Sequence, residues 1–171
     1  MKMFLLLLFA LSLQAKLLIS PYDAMKLHFG DESTIEKKSL LLTNEEAKVI
    51  TALAKVKLKT KIYKTFRASK DGDFLGYGVL VLHKVRSKDT AVLSIISPDG
   101  RLKTIETIAF NEPIEYLPSK SWIEVFNDKT LNASLALGKD IPSITAATMS
   151  ARAATNAARI ALSIYDVKFK K

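Results

Sequence analysis

Cysteine is absent from this chain of 171 residues. Its absence excludes disulfide bonds, thiolate metal sites, a cysteine nucleophile and a lipid anchor attached through cysteine. The chain also lacks a glycine-rich nucleotide loop, a Ser-His-Asp triad and a pair of neighbouring catalytic carboxylates. Only two histidines occur, and they lie far apart in sequence without a third partner. A metal site needs a cluster of ligands at characteristic spacing, so we expect none.

No apolar run reaches the ~20 residues that a membrane-spanning helix requires. The longest run, residues 4–13, follows Lys2 and precedes a small-residue cleavage pattern that ends at Ala15. This arrangement predicts a secretory signal peptide over residues 1–15, removed before Lys16. We therefore expect an exported, periplasmic protein that is soluble after cleavage. The alternative is that the leader is retained and keeps the protein associated with a membrane.

Acidic residues are in the minority, and the net charge is +9. Such an excess of lysine and arginine is compatible with nucleic-acid binding. Export argues against that function, and the lysines are spread along the chain rather than clustered. We expect no nucleic-acid partner. The positive charge is better interpreted as a solvated basic surface, one that could meet an acidic partner or anionic lipid.

Local patterns predict an α+β fold, in which an antiparallel β-sheet meander is packed against helices. Helices are expected at residues 21–29, from the capping box at Thr43 to about Lys55, at residues 120–126 and at residues 147–165. Strands are expected at residues 55–62, 74–85, 90–96 and 101–110, and residues 31–39 are interpreted as a loop. Hydrophobic residues make up 49% of the chain, which is enough for a packed core.

No internal repeat or long linker divides the chain. We therefore predict one domain over residues 16–171. Its first part, residues 16–70, carries the N-terminal helices and the first strand. Residues 74–165 form the core region, which includes the most informative segment.

That segment is residues 144–150, with the sequence ITAATMS. Hydroxyl groups at Thr145, Thr148 and Ser150 come where a long alanine-rich helix begins. Unpaired N–H groups and the positive end of the helix dipole favour a phosphate at such a place, and the small side chains let it approach the backbone. Serine and threonine are also the usual helix caps, so capping is the simpler interpretation of these residues.

The same segment resembles the flavinylation motif of the FMN-binding domain family, which includes subunits of the Rnf and sodium-translocating NADH:quinone reductase complexes. That motif has an Asp, then a hydroxyl residue, Gly, Ala and the acceptor Thr. The corresponding residues here are Asp140, Thr145, Ala146, Ala147 and Thr148. Ala146 replaces the family's glycine. If the position requires a positive φ, alanine costs about 1 kcal/mol there.

Further segments are similar, in the same order, to a branch of small exported single-domain proteins of this family. They are Gly76-Tyr77, the run from His83 to Arg86, the run from Pro98 to Arg101, the loop from Glu112 to Pro118 with the following Trp122, and Ala151-Arg152-Ala153. Together they cover most of residues 74–160. None of these matches is specific alone, but their order along the chain is.

The resemblance implies a covalent cofactor, FMN, joined by a phosphoester to the hydroxyl of Thr148. An ApbE-type flavin transferase would install it after export, using FAD and Mg²⁺. Thr145, Ala146, Ala147, Met149 and Ser150 would then surround the attached phosphate. The helix start can stabilise the remaining negative charge of the diester.

Other candidate contacts come from the loop after the last strand and from the second predicted strand. Glu112 would hydrogen-bond the ribityl chain or the flavin ring, while Tyr116, Leu117 and Trp122 would form a wall beside the ring. His83 would also lie near the flavin. Each has a plain alternative: a solvated or capping carboxylate, ordinary aromatic packing, and a hydrogen-bonded histidine at a strand end.

Three functions remain open from the sequence. The first is an exported electron carrier in an extracytoplasmic respiratory chain, working with a membrane or periplasmic redox partner. The second is a flavin-dependent periplasmic reductase of a small substrate. The third is a flavin-free binding or scaffold protein that retains the fold, which the presence of Ala146 keeps in consideration. An electron carrier is favoured over a stand-alone enzyme because no substrate-pocket signature is visible.

Overall fold

A computed structural model describes residues 17–170, so the predicted signal peptide lies outside the described residues. Helices and strands follow one another in the order α1 (Pro21–Phe29), β1 (Thr34–Leu41), α2 (Asn44–Ala54), β2 (Ile62–Lys70), β3 (Asp73–Val85), β4 (Lys88–Ile96), β5 (Leu102–Phe110), α3 (Lys120–Ile123) and α4 (Thr148–Lys168). Single 3₁₀ turns at Ile114–Tyr116 and Glu124–Phe126 flank α3.

The five strands form one antiparallel meander in the order β1-β2-β3-β4-β5. Helix α4 crosses one face of this sheet and also contacts α2, while α1 packs on the opposite face. The predicted α+β class and the antiparallel meander with packed helices are therefore correct.

Helix α4 lies close to the sheet because its inner face is made of alanines. Ala151, Ala154, Ala158 and Ala161 are all buried in the larger core, which also includes Phe126. Small side chains let a helix axis approach a sheet closely, and this holds the beginning of α4 beside the ends of β3 and β5.

On the opposite face, α1 approaches β3 at two glycines. A Cβ atom at Gly78 would lie 2.6 Å from the Sδ atom of Met25, and one at Gly76 would lie 2.6 Å from the Cζ atom of Phe29. Side chains at these positions would separate α1 from the sheet. The interruption of the strand pattern by glycine therefore marks a close approach, not a break in the strand.

Two local predictions were wrong. Residues 31–39 were expected to form a loop, yet β1 begins at Thr34 and pairs with β2 along its whole length. Its side chains are mostly exposed because it is an edge strand, so its sequence is as polar as that of a loop.

Residues 55–62 were expected to form a strand, but β2 begins only at Ile62. Lys55 ends α2 in a left-handed conformation, with φ 51°. Val56 and Leu58 pack against the core while the lysines between them face outward, which produces alternation without strand pairing. The alternation therefore reflects packing against the core.

Candidate functional site

The loop of residues 127–147 leads into α4 and is held by two polar anchors. The indole Nε1 of Trp122 donates a hydrogen bond to the carbonyl oxygen of Pro142 at 2.8 Å. The carboxylate of Asp140 accepts hydrogen bonds from the backbone N–H groups of Leu135 and Ala136, at 2.9 and 2.8 Å. These contacts fix the path of the chain just before the segment of residues 144–150.

Asp140 is the first residue of the motif-like segment, and its environment keeps it ionised. Burial by itself would raise the pKa of this carboxyl, but the hydrogen bonds from Ala136 and Leu135 and the nearby charge of Lys129 outweigh burial. The pKa is therefore below its usual range. The Nζ atom of Lys129 lies 3.7 Å from the carboxylate. The carboxylate of Asp140 thus organises the loop, because its two oxygens accept hydrogen bonds from backbone N–H groups of the loop itself.

Helix α4 begins without a side-chain cap. Its N-cap residue is Ala147, which can offer no side-chain acceptor to the first turn. The first N–H groups of an uncapped helix are left to solvent or to a ligand, and they lie at the positive end of the helix dipole. None of the nearby hydroxyls therefore caps α4, contrary to the simpler interpretation of the sequence.

Thr148 is the first residue of α4 and is exposed. Its hydroxyl donates a hydrogen bond to the carbonyl oxygen of Ile144 at 3.2 Å. The hydroxyl oxygen keeps its lone pairs free for another interaction, because donation uses only the proton. A modifying enzyme could reach this atom from solvent.

The backbone just before Thr148 adopts an unusual conformation. Ala146 has φ 64°, in the left-handed region that a side chain with a Cβ atom rarely occupies. This is the position at which the similar family motif has glycine. The turn that presents Thr148 therefore has the geometry that glycine favours, even though alanine occupies it here.

A small cavity of about 130 Å³ opens beside Thr148, and we call it the site cavity. The residues that line it come from the end of β3, the loop after β5 and the start of α4. They are Val85, Arg86, Glu112, Tyr116, Ala146, Ala147, Thr148, Met149 and Ser150.

Two buried polar atoms of the site cavity have no hydrogen-bond partner. They are the Oε1 atom of Glu112 and the Oγ atom of Ser150, whose residue is only 4% exposed. Buried polar groups are nearly always paired with protein atoms, water or a ligand. The two atoms offer an acceptor and a hydroxyl, respectively, to a molecule that enters the cavity.

Arg86 contributes a positive charge to the same cavity. Its guanidinium carbon lies 4.8 Å from the ring centroid of Tyr116, in a cation–π contact. Neither Arg86 nor Val85 was among the predicted site residues. The sequence did carry a signal for them, since both belong to the motif-like run that begins at His83.

The structure brings most of the predicted site residues together. Seven of them line the site cavity: Ala146, Ala147, Thr148, Met149, Ser150, Glu112 and Tyr116. Thr145 is exposed in the same loop and does not line it.

The other three predicted residues lie elsewhere. His83 lines a neighbouring cavity, which shares Met149 with the site cavity. Leu117 lines a separate depression next to α1 and β5. Trp122 is 7% exposed and packs edge-to-face on Phe126 within the core. Trp122 therefore holds the loop before α4 through its hydrogen bond to Pro142, and it does not line the site cavity.

Residues 17–170 contain neither a metal-binding cluster nor a membrane-spanning helix. No group of three or more histidine, aspartate or glutamate side chains is arranged to hold a metal ion there. Within the same residues, no helix has the length and apolar character needed to cross a membrane.

No protein-family model matches the chain, and no curated protein matches it at a significant level.

Proposed function

We propose that Thr148 carries FMN through a phosphoester and that the protein is an exported electron carrier. One observation carries this proposal. An exposed threonine hydroxyl stands at an uncapped helix start, beside a cavity with two buried, unpartnered polar atoms. A helix cap would instead have engaged its hydroxyl with the first N–H groups of the helix.

The residues of the site cavity fit the chemistry of the cofactor. Ser150 and the N–H groups of the first turn of α4 can donate to phosphate oxygens, and Arg86 adds a positive charge. The carboxylate of Glu112 is an acceptor suited to hydroxyl groups such as those of the ribityl chain. The positive φ of Ala146 further supports the likeness to the family motif, in which glycine occupies this position.

The flavin, when attached, would supply one- and two-electron redox chemistry, while the protein supplies position and polarity. Covalent attachment suits an exported protein, since a lost cofactor could not readily be replaced outside the cytoplasm. Besides the flavin transferase that attaches the cofactor, the protein would have a redox partner in the membrane or the periplasm. The family resemblance and the cavity together support an electron carrier over a reductase with its own substrate.

The test is the intact mass of the protein exported in cells that contain an active flavin transferase. We expect an increase equal to one FMN less one water, lost in Thr148→Ala and retained in the matched control Thr34→Ala. Thr34 is exposed at the start of β1 and does not line the site cavity. An unmodified mass for the native chain in such cells would contradict the proposal and favour a flavin-free binding or scaffold protein.

A further inference from the structure

A second cavity, of about 330 Å³, lies between α4, β3 and the segment that follows α2, and we call it the basic cavity. Its volume is at the lower end of the ~300–1,000 Å³ range of small-molecule pockets. Four cationic side chains line it: Lys57, Lys59, Lys84 and Arg152. No aspartate or glutamate is among its lining residues. The cavity therefore concentrates positive charge without a compensating carboxylate.

Two of these cations have no side-chain partner in the part of the chain that the structure describes. Lys84 forms an ion pair with Asp89 at 3.4 Å, and Asp89 does not line the cavity. Within residues 17–170, no hydrogen bond or ion pair engages the side chain of Lys57 or Arg152. Unpaired cations on the wall of one cavity attract an anion, because repulsion among them is relieved when it binds.

His83 adds a polar group that also lacks a partner. Its Nε2 atom is buried and makes no hydrogen bond. Burial and, to a lesser extent, the charge of Lys59 lower the pKa of His83 to about 4. The ring is therefore neutral at neutral pH, and one of its nitrogens can donate to an acid group that enters the cavity.

Apolar side chains complete the wall of the basic cavity. Val81, Met149 and Ile160 line it together with the cations. Such a mixture suits an organic molecule with an apolar body and charged ends better than an inorganic ion. Met149 lines the site cavity as well, so a ligand here would lie next to Thr148.

We propose that the basic cavity binds a small organic dianion, of the dicarboxylate class. Lys57, Arg152 and His83 hold its two acid groups, and its body lies against Met149 and Ile160. This binding site is separate from the attachment of FMN to Thr148. It can be measured on the unmodified protein, so a failure of flavinylation leaves the test intact.

The experiment is an NMR titration of the two histidine rings with phthalate, a rigid aromatic dicarboxylate, at neutral pH and low salt. We expect a saturable shift of the His83 signals with Kd of ~0.1–1 mM, a range typical of weak specific binding. His28 lies on the opposite face of the sheet, where its Nε2 atom is 2.8 Å from Glu106. It serves as an internal control and should not move.

Charge variants then locate the binding. Arg152→Gln and Lys57→Gln should each weaken the affinity for phthalate by about tenfold, because each removes a cation in direct reach of an acid group. Lys26→Gln removes the same charge from exposed α1 and should change the affinity less than twofold. Phthalamide, the neutral analogue, should not shift His83.

Three results would overturn the proposal. The first is the absence of a His83 shift at tens of millimolar phthalate. The second is an equal shift of both histidines, which indicates nonspecific screening. The third is an equal effect of Arg152→Gln and Lys26→Gln, which would assign the binding to net charge and not to the cavity.

Discussion

Helices α2 and α4 begin in contrasting ways, although both have threonine at or beside their first turn. At α2, the Thr43 hydroxyl accepts from the N–H of Glu46, and the Glu46 carboxylate accepts from the N–H of Thr43. At α4, the N-cap is Ala147, and Thr148 donates backward to Ile144. Threonine thus caps the first turn of α2, whereas the threonine at the start of α4 leaves the first N–H groups of that helix uncapped.

The contrast extends to the other helices. Ser20 caps α1 and Ser119 caps α3, each through its side chain. Among the four α-helices of residues 17–170, only α4, the longest, lacks a side-chain cap. Its first turn also borders buried polar atoms without partners, in Ser150 and Glu112. An open helix start beside the unpaired hydroxyl of Ser150 favours an anionic group, while the Glu112 carboxylate favours a hydroxyl donor.

The largest expected effect concerns His83. Like Ser150 and Glu112 at the start of α4, it has a buried polar atom without a hydrogen-bond partner. Its pKa is lowered from 6.5 to about 4 in the folded protein. Between these values the unfolded chain binds more protons, so stability falls as pH falls below about 6.5. From pH 7 to 5 the loss should be about 2 kcal/mol.

Urea unfolding at the two pH values measures this loss. His83→Gln should remove most of the difference between pH 7 and pH 5, because glutamine does not titrate. If that variant keeps the full pH dependence of the native chain, the burial of a neutral His83 is not its cause.

The second prediction compares the two helix starts directly. Thr43→Ala removes one half of the capping box and should lower the free energy of unfolding by about 1 kcal/mol. Thr148→Ala removes no cap and should lower it by less than about 0.5 kcal/mol. Chemical denaturation of both variants measures the difference, and equal losses would show that Thr148 is as structural as Thr43.

The third prediction concerns the strained residue before Thr148. Ala146→Gly should raise the free energy of unfolding by about 0.5–1 kcal/mol, because glycine accepts φ 64° without a Cβ clash. Thermal unfolding gives the change. Ala153→Gly, within α4 where φ is helical, is the matched control and should lower stability by about 1 kcal/mol. A loss in both variants would exclude strain at Ala146.

The smallest expected effect is at Ser150, whose buried hydroxyl is unpaired. Ser150→Ala removes a polar atom that has no partner in the protein and should change stability by less than about 0.5 kcal/mol, or raise it slightly. Denaturation of the unmodified variant measures this change. A loss above about 1 kcal/mol would mean that the hydroxyl is satisfied in solution, for example by an ordered water.

Several parts of the fold could be predicted because their signals are local. The capping box at Thr43 and the alanine-rich helix each depend on neighbouring residues only, and each is confirmed. The predictions failed for residues 31–39 and 55–62, where the environment decides the structure. Pairing with β2 makes a strand of a polar edge segment, and packing against the core produces alternation without a strand.

The candidate site divides in the same way. The order of the motif-like segments singled out Thr148, Ser150 and Glu112 in the sequence, and these residues meet in one cavity. Their binding roles stay predictions. Arg86 was missed as a site residue because its position depends on how the end of β3 meets the loop after β5. His83 and Leu117 were separated from the cavity by the same long-range packing.

By itself, the sequence determined the secondary structure wherever capping and helix preferences act between neighbours, and it determined which hydroxyls lie at the start of α4. Tertiary structure decided whether those hydroxyls cap the helix, because the path of the loop is set by Trp122 and Asp140. It also gathered the cations of the basic cavity from three separate parts of the chain. Contacts between distant residues depend on the packing of the whole sheet, so local sequence carries little information about them.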